Sequence, residues 1–125
     1  MINMHITLSG TFMEKDTEVC RFKIVDDIPV EFEKIADKGC CCLPYELFVK
    51  YDGWHLVQFL KQNVVPPTRQ GLDESLRAAG IDGYDISAIL RYQNASNWEN
   101  TFWVKFDSEG PQTWAALRKK IGYTN

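Results

Sequence analysis

The sequence has no excess of positive charge, no long apolar run, no spread of cysteines and only two histidines, and each shortage removes a class of function. Lys plus Arg is 14 against 17 Asp plus Glu, a formal net charge of −3, with a pI near 5.3. Dedicated nucleic-acid binders draw most of their affinity from neutralised phosphates, so overall charge disfavours that role and leaves only a local patch open to it. No apolar stretch approaches the roughly 20 residues that span a bilayer. Met1 to His5 contain no basic residue and lead into a strand-like pattern, unlike a secretory signal. The four cysteines are Cys20 and the run Cys40-Cys41-Cys42, which does not resemble a disulfide framework closing long loops. Reduced thiols in a cytoplasmic setting, without membrane association, are therefore expected. Neither a Walker loop nor a Gly-x-Gly-x-x-Gly or Gly-x-Ser-x-Gly motif occurs, so nucleotide binding and hydrolase chemistry of those kinds have no anchor.

What is present is enough apolar material for one domain spanning 1–125. The chain is 45% apolar and 13% aromatic over 125 residues, which excludes a disordered chain; two halves would each have a marginal core. Apolar residues alternate from Ile6 to Met13 and again through Cys20, Phe22 and Ile24, around the polar stretch Glu14 to Thr17. This pattern predicts a β-hairpin. A weaker alternation from Val30 to Ile35, behind Pro29, predicts a third strand at an edge. Cys40 to Leu43 reads as a short buried strand ending at Pro44.

The period then changes. Asp52 is expected to cap a helix carrying Trp54, Leu56, Val57, Phe59 and Leu60, with Asn63 and Pro66-Pro67 stopping it. Thr68 offers a cap for Arg69 to Ala79, ended by Gly80, and Asp85 one for Ile86 to Leu90. Phe102 to Phe106 alternates as a strand. Pro111 suits the first position of a last helix through Ile121, with Arg118, Lys119 and Lys120 at its negative end. The expected fold class is α+β: a small antiparallel sheet packed with three to four helices.

Few constellations carry chemistry. Adjacent cysteines on a strand point to alternate faces, so Cys40 to Cys42 cannot form the tetrahedral set of spaced Cys pairs. Apolar filling is the favoured account over metal or redox work. No metal site or cofactor is expected. His5 and His55 lack a recognised nucleophile context, and the carboxylates Asp26, Asp27, Glu31, Glu33, Asp73 and Glu74 are abundant enough to pair by chance. Asp26-Asp27 suits a turn, where Asp serves the backbone. Four tryptophans exceed what so small a core readily hides with satisfied indole donors. Trp98 stands in a polar stretch without periodic apolar neighbours, as an anchor for a protein partner or, against the net charge, for a stacked base. Trp54 and Trp103 join it as partner-binding candidates.

Val65-Pro66-Pro67-Thr68-Arg69-Gln70-Gly71 and Glu99-Asn100-Thr101-Phe102-Trp103, set behind a helix and a hairpin, resemble the N-terminal region of HipA-like proteins of Firmicutes and their mobile elements, over about residues 6–106. The kinase portion of those proteins, with its nucleotide-binding and catalytic-loop motifs, has no counterpart here. The resemblance therefore implies a free-standing, non-enzymatic accessory module that regulates a separately encoded HipA-like kinase in a toxin–antitoxin or mobile-element setting. Arg69 is the further candidate for partner contact; its charge near a helix start also suits an ion pair with Asp73. The alternative is a small nucleic-acid-associated protein using Arg91, Arg118, Lys119 and Lys120, cations that equally complement a helix C-terminus. Homodimerisation through an exposed tryptophan or the edge of the first strand remains open.

Overall fold

The structure, a computed structural model, describes residues 3–37, 43–64, 70–81, 83–96, 101–107 and 109–121. Its strands are β1 (Leu8–Glu14), β2 (Thr17–Val25), β3 (Ile28–Lys34) and β4 (Phe102–Lys105). Its helices are α1 (Tyr45–Val49), α2 (Gly53–Gln62), α3 (Leu72–Ala78), α4 (Ile86–Gln93) and α5 (Trp114–Ile121). The strands form one antiparallel sheet in the order β3-β2-β1-β4. The fold is α+β.

Two irregularities explain where simple alternation fails. Phe12 pairs with Cys20 but Met13 with Glu18, so Val19 is an extra residue bulged from β2. The bulge turns Val19 and Cys20 both into the core. On β3 the pairing jumps from Glu31 opposite Lys23 to Pro29 opposite Ile24, leaving Val30 as the extra residue. That offset is why the third strand reads weakly as a period-two pattern. It begins at Ile28, two residues before the expected start, because Asp26 and Asp27 (φ 51° and 69°) make a two-residue turn with both residues left-handed.

The main core lies on one face of the sheet. Phe12, Phe59 and Phe102 meet there with ring centroids 5.6 Å apart in each pair, joining β1, α2 and β4. Tyr51 enters from the α1–α2 connection with its hydroxyl 2.7 Å from the Val19 carbonyl and 2.8 Å from that of Ala36. On the opposite face a smaller cluster of Met13, Trp103 and Leu117, flanked by Trp114, seats α5. Thus Phe12 and Met13, adjacent in sequence, are buried on opposite sides of one strand.

Helix ends follow local chemistry, with three corrections. Asp52 and Asp85 cap α2 and α4 as expected, accepting from His55 N–H and from Ser87 and Ala88 N–H. The third helix begins at Leu72, behind left-handed Gly71, and not at Arg69; Thr68 and Arg69 lie outside the described residues. The last helix begins at Trp114 because Thr113 Oγ1 accepts from Ala116 N–H, so Pro111 precedes the helix. Leu43 belongs to no strand, Cys40 to Cys42 lie outside the described residues, and Pro44 opens the unforeseen helix α1. Proline's fixed φ and missing donor suit a helix start as well as a strand end. Finally, β1 is an inner strand, paired with β2 from Leu8 to Glu14 and with β4 from Thr11 to Glu14.

Candidate interaction surface

α1 is a single short turn of helix that buries only Leu47, leaving Tyr45, Phe48 and Val49 exposed at 76%, 64% and 55%. Three residues separate α1 from α2, and the first residue of α2 is set against the edge strand. A Cβ on Gly53 would stand 2.4 Å from Pro29 Cβ, so only glycine allows this approach. The close seat turns Leu56, Val57, Phe59 and Leu60 into the core and leaves Trp54 60% exposed, in line with exposed Gln58 and Gln62 along the helix. Between the helices runs a groove of about 430 Å³ lined by Tyr45, Glu46, Val49, His55, Gln58 and Gln62. Exposed large apolar side chains that gather on neighbouring elements, and do not scatter singly, mark a contact surface.

Two Asp–His pairs are the most chemically suggestive groups. Asp52 Oδ1 lies 2.9 Å from His55 N and 2.7 Å from His55 Nδ1. Burial raises the Asp52 pKa, but the bonds from His55 backbone and ring, with the charges of His55 and Lys50, outweigh it and hold the carboxyl below its ordinary range. The pair orients an imidazole at the groove while serving as a helix cap. The second pair ties the N-terminal segment down. Asp27 accepts from Ile6 N–H at 2.7 Å, from His5 Nδ1 at 2.8 Å and from Lys61 Nζ at 2.7 Å. Burial again pushes the carboxyl up, and these three donors together bring it below the usual value. Two hydroxyls border this network: Ser87 Oγ accepts from Thr7 N–H and donates to the His5 carbonyl, and Thr7 Oγ1 accepts from Asp26 N–H. Among the described residues no three His, Cys, Asp or Glu side chains gather to hold a metal.

The candidates read from sequence part company here. Trp54 is on the surface. Trp103 is 0% exposed, with its indole N–H donating to the Lys15 carbonyl at 2.7 Å, and is corrected from partner contact to core. Arg69 and Trp98 lie outside the described residues. The basic set is tied to helix ends. Arg91 donates to the Thr7 carbonyl at 3.1 Å, and Lys120 Nζ to Asn94 Oδ1 at 2.7 Å. Desolvation lowers the Lys120 pKa, partly countered by the Glu109 charge. Lys120 joins the last turn of α5 to Asn94, the C-cap of α4, and Arg91, Arg118 and Lys119 sit in the same last turns. There the cations complement two negative helix ends. Lys120 thereby ties the end of α5 to the end of α4.

The residues that sequence reasoning missed are those of α1. Tyr45, Phe48 and Val49 are apolar without a helical period long enough to register, and the signal available was Pro44 followed by Glu46 in a first turn. Among the described residues no helix is long and apolar enough to cross a membrane. Comparisons with protein-family models, with curated proteins and with solved structures find no match for this chain.

Proposed function

We propose that this chain is a non-catalytic protein-interaction module, acting in the cytoplasm, whose work is done by docking. The observation that carries this reading is the exposure of Tyr45, Phe48, Val49 and Trp54 on two adjoining short helices, where aromatic side chains supply most binding energy at protein interfaces. Supporting it, both Asp–His pairs serve as a helix cap or a chain tie, and the Ser87 and Thr7 hydroxyls that border one of them are engaged by backbone. A separately encoded HipA-like kinase is the partner nominated by the sequence resemblance, with Arg69 and Trp98 as its contacts. The test is co-purification of the tagged chain from its source cell, followed by mixing with the purified kinase. A stoichiometric protein partner, lost at least about tenfold in Phe48→Glu/Trp54→Glu or in Trp98→Ala, is expected. Unchanged recovery in all these variants would remove the docking reading, and recovery of a partner unrelated to kinases would remove the kinase.

A further inference from the structure

We infer that the cleft beside Ser9 binds a free α-amino acid, whose ammonium and carboxylate complete an unpaired rung of the sheet. The first argument is the direction of the β1 backbone. Ile6 turns its N–H and carbonyl toward the β2–β3 turn, where they meet the carboxylate and the N–H of Asp27. Thr7 turns both groups the other way, toward α4: Ser87 Oγ accepts its N–H and Arg91 Nη1 donates to its carbonyl at 3.1 Å. Successive residues of an extended chain alternate in this respect. Leu8 and Gly10 therefore face β2, while Ser9 and Thr11 face the β4 side. At the far end of the strand Lys15 keeps the same phase, donating its N–H to the Thr101 carbonyl. Thr11 is met by Lys105, and there the pairing of β1 with β4 stops. α4 thus serves Thr7 and β4 serves Thr11. Between them, about 7 Å from each, no described residue takes the N–H or the carbonyl of Ser9.

The second argument is what surrounds that gap. A cleft of about 310 Å³ opens there, and its lining includes Ser9, Lys23, Arg91, Asp107 and Glu109. Lys23 stands opposite Ser9 on β2, and Arg91 is held by its bond to Thr7. Asp107 and Glu109 come from the chain just after β4. Among the described residues none of these four charges is in an ion pair. Glu31 lies opposite Lys23 on β3, and Glu109 also acts on Lys120. A residue that pairs with Ser9 must offer one N–H and one carbonyl-type oxygen. Two cations beside the rung favour a carboxylate for the acceptor, and two carboxylates favour an ammonium for the donor. An α-amino acid carries both on one carbon. The cleft lies at the foot of the roughly 300–1,000 Å³ range of small-molecule sites, which suits one amino acid and not a nucleotide. It shares no lining residue with the groove between α1 and α2, so it stands or falls apart from the docking reading.

The test is nuclear magnetic resonance of the full, nitrogen-labelled chain, titrated with each common amino acid in turn to about 50 mM. At least one should shift the Ser9 amide saturably, with a dissociation constant on the order of 1 mM, ordinary for a ligand of so few atoms. Acetylating the amino group of that ligand should weaken binding about tenfold in the parent, but less than about twofold in Asp107→Asn/Glu109→Gln. Amidating its carboxylate should show the same pattern against Lys23→Gln/Arg91→Gln. If loss of Arg91 disturbs Thr7, Lys23→Gln alone, at an exposed position, replaces the double variant. Three results each overturn the inference: no amino acid moves the Ser9 amide, capping costs as much in the variants as in the parent, or sodium acetate binds as tightly as the amino acid.

Discussion

The two outer strands of the sheet are finished in opposite ways. Along β4, Asn94 closes the edge with its own backbone and side chain. Its carbonyl accepts from Val104 N–H at 2.7 Å and its amide donates to the Val104 carbonyl at 3.0 Å. α5 covers the far face, and Trp103 is wholly enclosed. Along β3 the edge has no such cap among the described residues. Pro29, the Val30 bulge and the charges Glu31, Glu33 and Lys34 break the regular ladder that another strand would extend. Beside it, α1 and α2 expose aromatic surface. One edge is thus sealed by tertiary contacts and the other only roughened, and the exposed aromatic side chains of α1 and α2 lie beside the second.

The sharpest way to break this comparison is a pair of tryptophan truncations followed by chemical denaturation. Trp103→Ala should cost about 3–5 kcal/mol, because it empties a closed cluster and leaves the Lys15 carbonyl without its donor. Trp54→Ala should change stability by less than about 0.5 kcal/mol. Equal losses would show that the two sides are equally built in. Next in size is Gly53→Ala. Its methyl group would overlap Pro29, so α2 must shift from β3, and a loss of about 1–3 kcal/mol is expected. A neutral result would mean that the seat of α2 is soft.

The smallest effect sharpens the comparison through pH. Asp27 has a folded pKa below its ordinary 3.8. A depressed carboxyl contributes stability that is whole above the unfolded value and lost as pH falls through the folded one. Urea unfolding of the parent should therefore weaken below about pH 4. Asp27→Asn should be less stable by about 1–2 kcal/mol near neutrality, with a flatter acid slope. A slope unchanged by the substitution would assign acid sensitivity to other groups. The paired carboxylate Glu18, held down chiefly by its hydrogen bond from Lys105, is the next such group.

How much was legible varies with how local the cause is. The α2 boundaries match the sequence expectation because Asp52 and Asn63 act within one helical turn. The same holds for α4 at Asp85 and for the left-handed Gly80 after α3. The bulges at Val19 and Val30 were illegible, since a bulge is defined by the partner strand's register. Trp103 and Trp54 illustrate the same limit for the candidate surface. Each tryptophan falls within an element with an apolar pattern, and the placement of α5 and the approach of Gly53 to Pro29 separate their fates. α1 was hidden because five residues carry too little periodicity to distinguish a turn of helix from an apolar loop.

By itself the sequence determined the α+β class, the first hairpin, the capped ends of α2 and α4 and the acidic balance, all consequences of chemistry acting over a few neighbouring residues. Only the tertiary structure decided which strands lie at the edges, which tryptophan is enclosed and which apolar residues are left in water. Those outcomes depend on what packs against a residue from far along the chain, and a side chain's own identity does not contain that information.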